Sequence, residues 1–175
     1  MFDNVIDFLS SEYYKYRIEE AKFHELASFI QTMQNNLFDN MNKTIQHSKN
    51  TPNTPNTTNQ NTKENTKEKM NKINDLMDSV SDRLVDVNAI VIYLKETIVK
   101  NFPDKSDEII KKPVEYTIDT KFKEKINAMT MTELKKETEK LNTEMIDSLF
   151  NQEYNEFIEI KQKLLFINKI EKKKE

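Results

Sequence analysis

Hydrophobic and polar positions alternate at helical spacing along most of the chain. In the clearest run, apolar residues follow each other three and four positions apart in turn, without exception. The run consists of Met70, Ile73, Met77, Val80, Leu84, Val87, Val91, Leu94 and Ile98. Because these steps average about 3.5 residues, the side chains form one narrow stripe, which leaves water only by packing along another helix. Residues 67–102 are therefore predicted to form a coiled-coil helix. Six residues of the stripe are expected to contact a partner helix: Met77, Val80, Leu84, Val87, Val91 and Leu94.

Residues 1–46 have the same spacing with bulkier side chains. No proline or glycine interrupts the run, so one long helix is expected. The candidate partner-binding residues of its stripe are Leu9, Tyr13, Tyr16, Phe23, Ile30 and Leu37. The aromatic side chains among them are larger than a two-helix seam prefers. They suit either a wider bundle, including one formed by this chain, or a groove in a partner.

Two polar residues, Glu20 and Gln34, interrupt the stripe of the first helix at a positions. Polar side chains in a coiled-coil seam lower stability but select register and partner. Glu20 and Gln34 are therefore candidates for specificity. The alternative is that the helix is only partly paired at these positions, so that both side chains face water.

Residues 47–66 separate the first two helices and are almost devoid of apolar side chains. Their centre repeats Thr-Pro-Asn. Asn and Thr are poor helix formers, proline lacks the amide donor, and nothing in this stretch can bury surface to offset the entropy of ordering. We predict a disordered, low-complexity linker, with the second helix beginning between Lys63 and Met70.

Residues 103–119 contain two prolines and are predicted to form a loop. Pro103 ends the second helix, because the residue before a proline is disfavoured in helical conformation. Within the loop, apolar residues alternate with polar ones at Val114, Tyr116 and Ile118, as is typical of a short extended segment laid against helices.

The last helix is predicted over residues 120–170, with a break near residue 129. The sequence from Thr130 to Glu133 fits a capping box, which marks the start of a helix. Beyond it the apolar stripe shifts its register, which indicates a wide buried face rather than a narrow seam. Phe157 and Leu164 are its candidate partner-binding residues, and residues 171–175 form a charged tail expected to be solvated and frayed.

These elements predict an all-α fold. The chain would be an elongated coiled coil, a helical hairpin or a three-helix bundle of long helices, with a disordered Asn/Thr-rich linker. Composition supports this, because 36% of residues are hydrophobic and 33% are charged, against roughly 45–50% and 25% in an average globular domain. Paired helices need only a stripe of apolar residues, whereas a compact two-layer core needs more.

The chemistry of catalysis is largely missing from the sequence. The chain has no cysteine and no glycine, so thiolate chemistry and glycine-rich phosphate or nucleophile turns cannot be built. Its two histidines are His24 and His47, and His24 lies four residues after Glu20 rather than in the repeated Glu-x-x-His step of a di-metal bundle. We therefore predict no catalytic residues, no cofactor and no metal ligands, and expect that the protein is not an enzyme.

The charge balance argues against nucleic acid and membrane as partners. The formal net charge is −3, and the lysines of the last helix are interleaved with glutamates, so no positive stripe forms. No segment approaches about 20 consecutive apolar residues, so no membrane insertion is expected. The N-terminal residues do not resemble a signal peptide. We expect an intracellular protein, in the cytoplasm or the nucleus.

The function predicted from these patterns is the helical contact itself. The leading hypothesis is a non-catalytic coiled-coil scaffold or interaction subunit of a multiprotein complex, of the kinetochore or cytoskeletal, vesicle-tethering or transcription-mediator type. Its partners would be other coiled-coil proteins, in a hetero-oligomer or a homo-oligomer. The alternatives are a self-contained helical binding or adaptor module and, less favoured, a SNARE-like membrane-trafficking helix.

Overall fold

A computed structural model describes residues 2–49 and 58–175. Across these residues the chain forms six α-helices and no β-strand, which confirms the all-α prediction. The helices are α1 (Phe2–Lys49), α2 (Thr58–Asn101), α3 (Pro103–Ile110), α4 (Thr120–Ala128), α5 (Met131–Phe150) and α6 (Tyr154–Lys174).

The first two helices are longer than predicted. α1 extends to Lys49 and α2 begins at Thr58, so the prediction of a disordered linker is wrong for residues 47–49 and 58–66. Each residue added to an existing helix gains a backbone hydrogen bond without a new nucleation cost. Good helix formers such as lysine and glutamate are also frequent in 63–69. The remaining part of the predicted linker, 50–57, lies outside the described residues.

A short helix occupies the first half of the predicted loop 103–119, so that prediction is wrong for residues 103–110. Pro103 is the first residue of α3, where its fixed φ suits a helix and its missing N–H is no loss. Phe102 separates α2 from α3 with non-helical φ and ψ of −136° and 58°. Inside α3, the buried Ser106 donates a hydrogen bond from Oγ to the Pro103 oxygen at 2.9 Å.

The rest of this connection is attached to the N-terminal part of α1. Tyr14 donates a hydrogen bond from its hydroxyl to the Pro113 oxygen at 3.3 Å, and Arg17 donates to the Ile110 oxygen at 3.4 Å. The ammonium of Lys112 lies 4.3 Å from the centre of the Tyr14 ring. Half-buried and exposed side chains alternate beyond this point, with the half-buried positions at Val114, Tyr116 and Ile118.

The predicted last helix consists of three helices rather than two. α4 ends at Ala128 and α5 begins at Met131, around the expected break. The capping box is present, because the Thr130 amide donates to the Glu133 carboxylate at 2.8 Å and the Glu133 amide donates to the Thr130 hydroxyl at 3.4 Å.

A further break at residues 151–153, which the sequence did not predict, separates α5 from α6. The Gln152 amide donates to Leu149 O at 3.1 Å, the Glu153 amide donates to Ser148 O at 2.8 Å, and Gln152 has a φ of 60°. This is the Schellman arrangement, in which glycine is the usual left-handed residue. A chain without glycine gives no such signal, so the break was not visible in the sequence.

The C-terminal residues are not a frayed tail, because α6 continues to Lys174. The ammonium of Lys174 donates to the backbone oxygens of Asn127 and Met129, at the end of α4. A cation at this end complements the partial negative charge of the helix C-terminus.

The chain divides into two compact units. The two-helix unit is Glu19–Glu96, and the larger unit comprises residues 2–18 and Thr97–Glu175. Within the larger unit, α6 contacts both α5 and α4. Phe122 of α4 and Phe166 of α6 have ring centroids 6.5 Å apart, and the fully buried residues include Ile126, Leu134, Leu149, Phe157 and Ile167.

Candidate interaction surfaces

Two polar contacts define how the helices of the two-helix unit run. The amide nitrogen of Gln34 donates to the Asn74 side-chain oxygen at 2.9 Å, and the guanidinium of Arg83 contacts the Glu19 carboxylate at 2.8 Å. Position 34 of α1 therefore lies beside position 74 of α2, and position 19 lies beside position 83, so residue numbers fall along α1 as they rise along α2. The two helices are antiparallel within this unit.

The predicted partner-binding residues are covered in the folded chain. Nine are buried: Tyr13, Phe23, Ile30, Val80, Val87, Val91, Leu94, Phe157 and Leu164. Five are half-buried: Leu9, Tyr16, Leu37, Met77 and Leu84. All fourteen are therefore at least partly covered by the fold itself. That these residues contact a partner stays a prediction.

The two specificity candidates behave differently. Gln34 bonds to Asn74 of α2, so the helix it meets belongs to its own chain. Glu20 instead places one carboxylate oxygen 3.7 Å from His24 Nε2, one turn later on α1. Its other oxygen is buried without a hydrogen-bond partner, which is costly for a carboxylate. Gln34 can therefore set the register between α1 and α2, whereas the Glu20 contact lies within α1.

A group of charges surrounds the Glu19–Arg83 contact. Partial burial lowers the pKa of Lys22 below its ordinary value of 10.5, nearby Glu19 opposes that shift, and Arg83 adds to it. A lysine with a lowered pKa binds its proton less tightly in the folded chain than in the unfolded chain. The charged form of Lys22 therefore weakens folding, and this penalty is relieved as the pH rises through the folded pKa towards 10.5.

An exposed apolar stripe lies on the side of α2 that faces away from the seam. Val85, Ile92 and Tyr93 are 69%, 48% and 68% exposed, and Ala89 is also exposed. With the seam residues at a and d, these four occupy the b, c and f positions, which are usually polar. We call Val85, Ala89, Ile92 and Tyr93 the outer stripe.

The outer stripe was missed in the sequence, although it leaves a signal. Val85, Ala89 and Ile92 repeat the steps of four and three, displaced from the seam. In the two preceding heptads the b and f positions are all polar: Asn71, Asp75, Asp78 and Asp82. The change from polar to apolar at residue 85 is therefore abrupt, and a search for one stripe per helix overlooks it.

A second exposed apolar group lies near the end of α1. Phe38, Met41 and Ile45 are 58%, 36% and 45% exposed and follow each other at steps of three and four. In the antiparallel register, the part of α2 that comes opposite lies around Glu64–Glu68, which contains no apolar side chain. We call Phe38, Met41 and Ile45 the distal face.

Within residues 2–49 and 58–175, no three His, Cys, Asp or Glu side chains are grouped so that they could hold a metal ion. None of the helices described there combines the length and apolar character needed to cross a membrane.

Comparisons with protein-family models, with curated proteins and with solved structures find no match to this chain.

Proposed function

We propose that this chain is a non-catalytic helical scaffold subunit that binds other coiled-coil proteins within a multiprotein complex. Its two-helix unit would be an antiparallel coiled coil that closes its own seam, and its partners would bind the apolar faces that remain uncovered. The observation that carries the proposal is that α2 has two apolar stripes, of which one is buried and the other exposed.

Single exposed apolar residues are normal on protein surfaces. The outer stripe differs because its four residues lie on one face of one helix at helical spacing. The distal face adds a second such group in the same unit. Contiguous apolar surface of this kind is typical of protein contact sites.

The burial of the seam residues also favours a second candidate, a self-contained helical binding or adaptor module. The two proposals share the same exposed surfaces and differ in whether the chain works as a permanent member of a complex. Assemblies of the kinetochore or cytoskeletal, vesicle-tethering or transcription-mediator type fit this proposal. The absence of cysteine from the sequence supports a reducing compartment.

Size-exclusion chromatography of the tagged full chain tests the proposal. The chain in an extract of its own cells should elute well ahead of the purified chain. Two double substitutions should each shift some or all of the chain in the extract to the later elution position of the purified chain. They are Val85→Lys/Ile92→Lys and Phe38→Lys/Ile45→Lys. Leu165→Lys is the matched control, because Leu165 is 47% exposed but belongs to neither apolar face.

Circular dichroism of each variant shows whether its helices remain intact. Elution of the wild-type chain from the extract at the position of the purified chain would contradict the scaffold proposal. An unstable complex that dissociates on dilution would instead support the adaptor module.

A further inference from the structure

The outer stripe continues into a line of negative charge on the same helix. Asp75, Asp78, Asp82 and Asp86 are all exposed and follow each other at steps of three, four and four. Residues at these steps are neighbours on one helix face. Asp82 and Asp86 each precede a residue of the outer stripe by three positions, so charge and apolar surface form one continuous face.

This negative charge is not neutralised by the chain. Across the part of α2 that the structure describes, none of the four aspartates forms an ion pair. Arg83 is the one basic residue between Lys72 and Lys95, and it pairs with Glu19 of α1. The aspartates are therefore available to a cationic partner.

Charge disfavours a second copy of the chain that binds this face in parallel. A parallel pair of α2 helices would place the two aspartate lines side by side, and like charges across an interface are costly. The four side chains of the outer stripe also offer less by themselves than the roughly 800 Å² per partner that a stable interface buries. An occupant must therefore use the charged part of the face as well as the apolar part.

We propose that this face binds an amphipathic helix of another protein whose apolar stripe packs on the outer stripe and whose lysine or arginine side chains meet the aspartates. The proposal rests on the function proposed above and specifies the chemistry of the partner. Residues 75–93 span about 27 Å at 1.5 Å per residue. The partner helix is thus about five turns long, with its basic residues concentrated in one half.

Fluorescence anisotropy with designed peptides tests this chemistry on the full chain. The probe is an amphipathic helical peptide of about 20 residues with leucine at seam positions and lysines in one half. Two versions, with the lysines in the N-terminal or the C-terminal half, cover parallel and antiparallel docking. A third peptide has glutamate in place of every lysine. A lysine peptide should bind, with affinity falling as salt increases, and the glutamate peptide should bind at least roughly tenfold more weakly.

Substitutions on the chain separate the two parts of the face. Ile92→Lys should weaken the binding of the lysine peptide by roughly tenfold or more, because the substitution places a charge in the apolar contact. Asp78→Asn with Asp82→Asn should weaken it by about threefold to tenfold, as expected for two exposed charge pairs. Leu165→Lys and the pair Glu124→Gln with Glu139→Gln, which change exposed side chains of the larger unit, should leave binding unchanged.

Equal binding of the lysine and glutamate peptides would overturn the proposal, and so would equal effects of the face and control substitutions. A dimer of the chain alone that is lost in Ile92→Lys would assign the face to a second copy and also overturn it. Failure here is distinguishable from failure of the scaffold function. If the peptides do not discriminate but the cellular complex still depends on Ile92, the function stands. If the peptides discriminate but no cellular complex forms, the chemistry of the face stands and the scaffold function falls.

Discussion

The two units bury their apolar residues in different patterns. In the two-helix unit, the buried residues of α2 follow each other at steps of three or four, with one step of seven: Ile73, Leu76, Val80, Val87, Val91 and Leu94. In the larger unit, α6 buries neighbouring residues as well, and its buried set is Phe157, Ile158, Ile160, Leu164, Ile167 and Ile170. The buried face of α6 is therefore the wider one.

The difference follows from the number of neighbours. α6 contacts both α5 and α4, so apolar residues on a wide face can all be covered. Within its unit, α2 has α1 as its helical neighbour, and a two-helix contact covers only a narrow stripe. Apolar residues outside that stripe stay exposed, as Val85 and Tyr93 do. The place to look for binding is therefore where apolar content exceeds the neighbours available to cover it.

The largest expected effect compares two phenylalanines. Phe157 of α6 is fully buried, whereas Phe38 of α1 is mostly exposed. Phe157→Ala should lower the free energy of unfolding by about 3–5 kcal/mol, because it leaves a cavity. Phe38→Ala should change it by less than about 0.5 kcal/mol. Urea unfolding followed by circular dichroism measures both, and a similar loss for the two variants would mean that the distal face is covered after all.

A smaller effect is expected at the turn between α5 and α6. Gln152 has a left-handed φ of 60°, which costs a residue with a side chain about 1–2 kcal/mol. Glycine removes this strain but adds about 0.5–1 kcal/mol of chain entropy to the unfolded state. Gln152→Gly should therefore stabilise the larger unit by roughly 0.5–1 kcal/mol.

Amide hydrogen exchange at the end of α5 measures this change, and the amides of the two-helix unit serve as internal reference. Gln152→Ala is the matched control, because it shortens the side chain but keeps a Cβ. Stabilisation by alanine equal to that by glycine would contradict an origin in the backbone conformation.

The smallest expected effect is the pH dependence of the α5 N-terminus. Two hydrogen bonds from Thr130 hold the pKa of Glu133 below its ordinary value of 4.5. The one from the backbone amide has the larger effect, and the one from the hydroxyl has the smaller effect. A lowered carboxylate pKa stabilises the folded state fully above the unfolded pKa, and this contribution is lost as the pH falls through the folded pKa. The first turn of α5 should therefore loosen only in acid, below about pH 4.5.

The Thr130 amide proton shift, followed by NMR during an acid titration, should report this step. In Glu133→Gln the step should disappear, since the amide side chain does not titrate in this range. A step of the same size in both proteins would assign the titration to another group.

Much of the helical content could be read from local patterns. The stripe from Met70 to Ile98 predicted α2, the Thr130–Glu133 capping box predicted the start of α5, and Phe102–Pro103 predicted the end of α2. These features succeed because spacing, capping and proline stereochemistry act over a few neighbouring residues. The break at Gln152 was not predicted, because such reasoning depends on local signals and glutamine carries none for a left-handed turn.

The candidate site was less accessible to sequence reasoning. The seam residues were recognised as contact residues, but whether Val80 or Ile30 meets this chain or another protein depends on which helix lies alongside. Gln34 was identified as a selector of register, whereas its partner Asn74 is forty residues away in the sequence and could not be inferred. The spacing of the outer stripe was present in the sequence, but its exposure depends on which helix lies alongside α2.

The sequence by itself determined that this protein is helical, where the longest helices lie and which of their faces are apolar, because these properties depend on residues within a few turns of each other. The tertiary structure decided which apolar faces are buried and which stay exposed. It paired α1 with α2 in antiparallel order, covered the wide face of α6 and left Val85, Ala89, Ile92 and Tyr93 exposed. Burial depends on neighbours that are distant in sequence, so only the folded chain separates a core from a surface that can bind.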